Sequence, residues 1–292
     1  MALGDVEFEV DGACITGRVG GSGVRTLVFV HGIMVNSHVW DPLVKALSGT
    51  CRLVLLDLPL GGHHRPMNPD ASGELADHAA RVITVVEQLG TQAVLVGSDT
   101  GGAIAQLAVA SRPDLFEALI LFPSDAFGNC PPLLLRPLVQ LNKVPRAIPG
   151  VAKLLRYRVL QAIVMKLVSK RGHSAETLND LVGELPRNKG VQRDLSKLIA
   201  GLRPEVTDAV VPALANYTAP VLILWSRRDP LFPAAHAHRL AGIFPSAHVH
   251  FVDDSRAFIS LDQPTSAAEH ILGFTRRTLG QSQPNRRLRR ES

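Results

Sequence analysis

A chain of 292 residues with 46% apolar and 20% charged residues can bury a large core and is too apolar to stay disordered. Its formal net charge of +5 sits in one place: Arg276, Arg277, Arg286, Arg287, Arg289 and Arg290 against Glu291 account for all of it, leaving a neutral body. A neutral body without a Rossmann glycine fingerprint, a P-loop or clustered metal ligands excludes the common nucleic-acid modules, and no cofactor or metal is expected.

The first elements read as strands: "VEFEV" from Val6, "CITGRV" after the turn at Asp11-Gly12, and the continuously apolar "TLVFVH" after "GGSG". The change from alternation to an unbroken apolar run marks a sheet passing from an exposed edge to an interior covered on both faces. Strand-like runs then alternate with helical periods: "RLVLLDL" (52–58), a helix near 73–89, "AVLVGS" (93–98), a helix near 101–111 and "ALILFPS" (118–124). After a long helical stretch come "PVLILWS" (220–226), a helix near 233–243, "HVHFVD" (248–253) and a last helix near 265–279. This order predicts an α/β fold with a mostly parallel eight-stranded sheet and helices on both faces. The boundaries expected are a first core part at 1–125, a helical cap at 126–215, a second core part at 216–280 and a basic flexible tail at 281–292. The cap segment is rich in Leu, Pro, Lys and Arg. Its few acids and many aliphatic side chains suggest a pocket for a small apolar substrate at the carboxyl ends of the strands.

The chemistry concentrates in "VGSDTGG", Val96 to Gly102. Asp99 falls between the end of a strand and the start of a helix, flanked by Gly97 and Gly101, where strand and helix backbones approach too closely for side chains. Such a turn holds the carboxylate at the upper edge of the sheet, beside the positive end of a helix. The same residue type at the same place also serves as an ordinary helix N-cap. A reading in which Ser98 attacks is disfavoured, because that residue precedes the apex of the turn.

These stretches together resemble the α/β-hydrolase superfamily, in its haloalkane dehalogenase and epoxide hydrolase-like branch, whose nucleophile is an aspartate. The resemblance runs through His31-Gly32, "DLPLGGHHRP", the Asp99 elbow, the helical cap, "WSRRDPLFP" and "LDQP". It implies Asp99 as nucleophile, Asp229 or Asp125 as the second acid, and an oxyanion hole from the backbone N–H groups of Ile33 and Thr100. His31, Gly32, Gly97 and Gly101 would support the elbow and its facing loop. The branch places its catalytic histidine a few residues before "DQP", and there this chain has Ala257. His248 and His250 alternate within a strand and read as structural. His63 and His64 are expected at the pocket mouth, as is Tyr157, the one tyrosine of the cap. Thr100 and Ile33 stand where dehalogenases hold halide with tryptophan and asparagine, which argues against dehalogenation.

The expected function is an enzyme acting on a small apolar molecule through Asp99. It would serve as a nucleophile in epoxide- or ester-type hydrolysis, or as a general acid/base in a non-hydrolytic reaction. The alternative is a catalytically inactive hydrolase-like protein that binds a ligand or scaffolds a partner. Cys14, Cys51 and Cys130 lack CxxC spacing and are expected as buried free thiols. The acidic start of the chain and the lack of a long apolar run point to a cytoplasmic protein without integral membrane association, compatible with a homodimer.

Overall fold

Strands β1 (Gly4–Val10) and β2 (Ala13–Gly20) alternate in burial and form the antiparallel edge of one sheet. Every residue of β3 (Thr26–Val30) is buried, as is nearly every residue of β4 (Arg52–Asp57) and all of β5 (Ala93–Asp99), because helices cover both faces of the sheet there. With β6 (Phe116–Ser124), β7 (Val221–Ser226) and β8 (Ala247–Val252), the order across the sheet is β1-β2-β4-β3-β5-β6-β7-β8. β2 pairs antiparallel with β4, and all later neighbours are parallel. The eight strands match the apolar runs of the sequence one for one. The computed structural model describes residues 3–280; the tail expected at 281–292 lies outside the described residues.

Connection order fixes the layers. β3 steps back to β4 through α1 (Asp41–Leu47), whereas α2 (Leu75–Leu89) and α3 (Thr100–Ser111) carry the chain forward to β5 and β6. Right-handed crossovers therefore place α1 on one face and α2 and α3 on the other. Helix α1 is an element the sequence pattern did not announce, being only seven residues long. The reversal at β3 opens a crevice above the carboxyl ends of the central strands, the usual ligand position in such sheets. Asp99 ends the strand beside that crevice.

Between β6 and β7 the described chain is helical throughout: α4 (Arg136–Asn142), α5 (Ala147–Leu154), α6 (Arg158–Val168), α7 (Ala175–Val182), α8 (Lys189–Gly201), α9 (Pro204–Ala209) and α10 (Val211–Leu214). After β7 come α11 (Ala234–Ala241), then, beyond β8, α12 (Ile259–Asp262) and α13 (Pro264–Leu279). His248 and His250 lie in β8, and the His250 ring stacks on His270 of α13 at 4.5 Å, a packing role. Two of the three thiols are buried as expected. Cys14 is the exception: half-buried on β2, next to the edge strand β1, it lies 3.2 Å from an Arg65 guanidinium nitrogen.

Candidate active site

Asp99 has φ 58° and ψ −133°, outside the regions open to most L residues. Holding a residue there costs of the order of 1–3 kcal/mol, supplied by the packing around it. The glycines show how tight that packing is. A Cβ on Gly97 would lie 2.6 Å from the Gly101 carbonyl oxygen, one on Gly101 would overlap the carbonyls of Val30 and His31, and one on Gly32 would lie 2.7 Å from Asp99 Oδ2. The spacing that made "VGSDTGG" legible is thus a set of backbone approaches that exclude side chains.

Both oxygens of Asp99 lie inside the protein, with the residue 3% exposed. Oδ1 accepts from the Thr100 N–H at 2.6 Å, so Asp99 caps α3 and forms the elbow at once. The Thr100 hydroxyl lies 3.2 Å from that oxygen and 3.1 Å from Asp125 Oδ2. One hydroxyl proton cannot serve two carboxylates. Burial pushes the Asp99 carboxyl up to about 7, against the two Thr100 donors and with a further upward push from the charge of Asp229. Burial, then the charge of Asp99, holds Asp125 well above the usual carboxylate range, against the Thr100 hydroxyl. With Asp125 protonated, its O–H can donate to Thr100 Oγ1, whose own proton then goes to Asp99, and the conflict disappears.

Asp229 follows β7. Its Oδ1 accepts from the N–H groups of Leu231 (2.8 Å) and Phe232 (2.9 Å), while its buried Oδ2 has no partner. Burial raises this carboxyl to about 6 against those two donors. The orphaned oxygen is where a triad histidine would donate its N–H.

The loop after β8, where the sequence resemblance would put that histidine, is held firmly. Ser226 Oγ donates to the Arg256 carbonyl at 2.6 Å, the Arg256 N–H donates to Asp262 Oδ2 at 2.9 Å, and the Phe258 N–H donates to the Val168 carbonyl at 2.8 Å. Ala257, between these anchors, is fully buried. Asp262 also accepts from Ser169 Oγ and from the N–H groups of Lys170 and Arg171, binding the end of α6 to this loop.

A cavity of about 600 Å³, open solvent at its mouth included, lies over Asp99. Ile33, Met34 and Val35 wall it from the loop after β3, Leu231 and Phe258 from the loops after β7 and β8, and Leu155, Val164, Met165, Leu167 and Val168 from the helical insertion. Asp99 is its one charged group, and Gln161 of α6 its other hydrogen-bonding side chain. The Gln161 amide nitrogen donates to the Leu155 carbonyl and to Asn179 Oδ1, which leaves its buried Oε1 without a partner. Gln161 was missed in the sequence. The available signal was a polar residue on the apolar stripe Gln161, Met165, Val168 of an otherwise amphipathic helix.

The remaining expected residues divide. Ile33 stands in the cavity wall, and the Thr100 N–H points at Asp99 itself. His31 is buried and neutral, burial driving its pKa down, and its Nδ1 donates to the Gly32 carbonyl at 2.8 Å, supporting the loop. Three residues expected at the pocket mouth are elsewhere. His63 is buried, its Nδ1 accepting from the Gly61 N–H and its Nε2 lying 3.2 Å from Asp194 Oδ2 of α8. There it ties the loop after β4 to the insertion. Burial pushes Asp194 upward, but His63, the Met67 N–H and Arg193 outweigh it and hold the carboxyl below its ordinary value. His64 is exposed in a cleft beside β1 and β2. Tyr157 points outward, its hydroxyl accepting from Arg156 at 2.5 Å. Among the described residues, no histidine lines the cavity. The described groups nearest to a metal-ligating set, Glu7, Glu9 and Cys14, belong to the edge strands, where Arg65 already pairs with Glu7.

A family model for the alpha/beta hydrolase fold matches residues 25–264. The chain belongs to the α/β-hydrolase family. Among its relatives, the dihydrolipoyllysine-residue acetyltransferase component of the acetoin cleaving system of Cupriavidus necator is 29% identical over 237 residues, which cover 78% of this chain but 58% of that protein. A pimeloyl-(acyl-carrier protein) methyl ester esterase of Shewanella woodyi is 28% identical over 239 residues, covering 78% of this chain and 84% of that one. Haloalkane dehalogenase DbeA from Bradyrhizobium elkani superposes with a TM-score of 0.77 at 20% identity, over 94% of this chain and 97% of DbeA. No described helix is long and apolar enough to cross a membrane.

Proposed function

We propose that this α/β-hydrolase-fold enzyme acts on a small apolar molecule by proton transfer through Asp99, with the helical insertion as a cap over the site. One observation carries the reading. The carboxylate at the floor of an apolar cavity is pushed to about 7, and no histidine is among the described residues that line that cavity. A group titrating near neutrality is suited to take a proton from bound substrate and return it. In the forward step the proton passes from a substrate C–H or O–H to the Asp99 carboxylate, and the released electron pair either forms a double bond as a leaving group departs, closes a ring on an electrophilic carbon of the same molecule, or shifts a double bond. The proton then passes to the departing group in the first case and to the product in the other two. Asp125, kept protonated behind Thr100, supports the negative charge of Asp99 through the hydroxyl, and Gln161 Oε1 offers an acceptor that orients a polar substituent of the substrate.

A second reading is supported by the Thr100 N–H on Oδ1. If Asp99 attacked carbon to form an ester, hydrolysis of that ester would develop its oxyanion beside this donor. Without an imidazole to activate water, the ester would accumulate. Intact-mass measurement after incubation with a lipophilic epoxide, ester and lactone panel separates the readings. Turnover without an adduct supports proton transfer, and a stable adduct lost in Asp99→Asn replaces it with the nucleophile. If no member of the panel is turned over or bound covalently, both readings give way to a ligand-binding protein.

A further inference from the structure

Of the eleven large apolar side chains exposed among the described residues, ten fall between Leu133 and Leu167; Val24 is the other. Residues 126–175 contain nine Lys and Arg, from Arg136 to Arg171, and no Asp or Glu. All nine are exposed, and among the described residues only Lys170 has a carboxylate partner, Asp254 at 3.1 Å.

Helix α6 shows the arrangement most plainly. Gln161, Met165 and Val168 face inward, yet Val159 (71% exposed), Ile163 (55% exposed) and Leu167 form a second apolar stripe on the outside, with Arg158 and Lys166 beside it. Packing onto the body of the enzyme explains the first stripe and leaves the second without a partner. The outer stripe also reaches the cavity: Val164 and Leu167 are exposed and line the space above Asp99. Apolar surface therefore runs without interruption from the outside of the cap to the candidate catalytic carboxylate.

Apolar side chains set among unpaired cations fit a surface whose outer layer is anionic and whose interior is hydrocarbon. A second copy of this chain fits less well, since it would bring two cationic faces together. We propose that the outer face of α4–α6 docks on an anionic lipid bilayer, and that the cavity draws its apolar substrate from that bilayer through the mouth at Val164 and Leu167. The docking step goes beyond the reading of Asp99 and does not depend on it.

The test is co-sedimentation of the full chain with vesicles of phosphatidylcholine alone and of phosphatidylcholine with phosphatidylglycerol. The protein is expected on the anionic vesicles and to be released as salt rises. Val159→Ser with Ile163→Ser removes apolar contact outside the cavity and lowers the partition coefficient roughly tenfold. Arg156→Gln with Arg158→Gln lowers it roughly fivefold per cation. All four positions are exposed, and unchanged circular dichroism and melting confirm that the fold is kept. Replacement of Arg286, Arg287, Arg289 and Arg290 by Gln should leave the dependence on Val159 and Ile163 in place. Asp99→Asn should bind vesicles as the wild type does, so failure of the catalytic reading leaves this result standing. The proposal is overturned if the wild type ignores anionic vesicles, if the tail variant alone abolishes binding, or if light scattering shows a dimer broken by Val159→Ser with Ile163→Ser.

Discussion

Two loops reach the same cavity with opposite character. The elbow after β5 presents Asp99 under positive φ, with an N–H and a hydroxyl aimed at it and a second carboxyl behind. The loop after β8 is pinned as closely, by Ser226, Asp262 and the Val168 carbonyl, yet presents Phe258, with Ala257 fully buried before it. The difference teaches that equally firm backbone anchoring can end in opposite chemistry: one loop delivers a carboxyl to the cavity, the other an aromatic wall, and the Oδ2 of Asp229 on the neighbouring loop stays without a partner.

The contrast can be broken at its polar end. Asp99→Asn keeps an oxygen to accept from the Thr100 N–H but cannot take up a proton, so turnover of any confirmed substrate should fall by roughly a hundredfold to ten-thousandfold. Unchanged kcat would remove this carboxylate from the mechanism.

It can also be erased from the apolar end. If position 257 is in register with Asp229, Ala257→His brings an imidazole to the unpartnered Oδ2, and hydrolysis of an activated ester should rise by about a hundredfold as water activation is supplied. Overpacking of so buried a position costs about 1–3 kcal/mol, so the melting temperature falls while hydrolysis appears. A folded variant with no gain would show that position 257 is not in register with Asp229.

Stability against pH sharpens the same contrast. Burial raises Asp99 above the value near 4 of an unfolded aspartate, so folding favours its protonated form. The stability from this group is full below about 4 and is lost as pH rises through about 7. Asp99→Asn does not titrate, so its advantage over the wild type should widen by about 2 to 4 kcal/mol between about pH 4 and pH 8, measured by urea unfolding. A constant gap would mean that Asp99 is not held in a desolvated state.

The smallest effect concerns the sign of the rate profile. A base must be ionised, so kcat/KM should climb about tenfold per pH unit below the pKa and level off above about 7. A rate that instead falls through this range would recast Asp99 as the acid.

Much of this was legible in the chain itself. Buried parallel strands are continuous apolar runs, and the elbow is a glycine pattern, because both are dictated by local backbone crowding. What escaped depended on partners far along the chain. His63 meets Asp194, 131 residues later, and nothing local distinguishes a histidine so engaged from one lining a pocket. Tyr157 was placed at the mouth by residue type alone, while the turn into α6 points it outward. Gln161 matters because its nitrogen is occupied by Leu155 and Asn179, a fact of tertiary packing.

Asp262 also ties the helical insertion to the body of the protein. A sealed carboxylate that grips three main-chain amides and a serine hydroxyl would be stripped bare if the rear end of α6 lifted, and hydrogen bonds to a carboxylate are worth about 1.5–3 kcal/mol each. That corner is therefore where the insertion is clamped to the loop after β8.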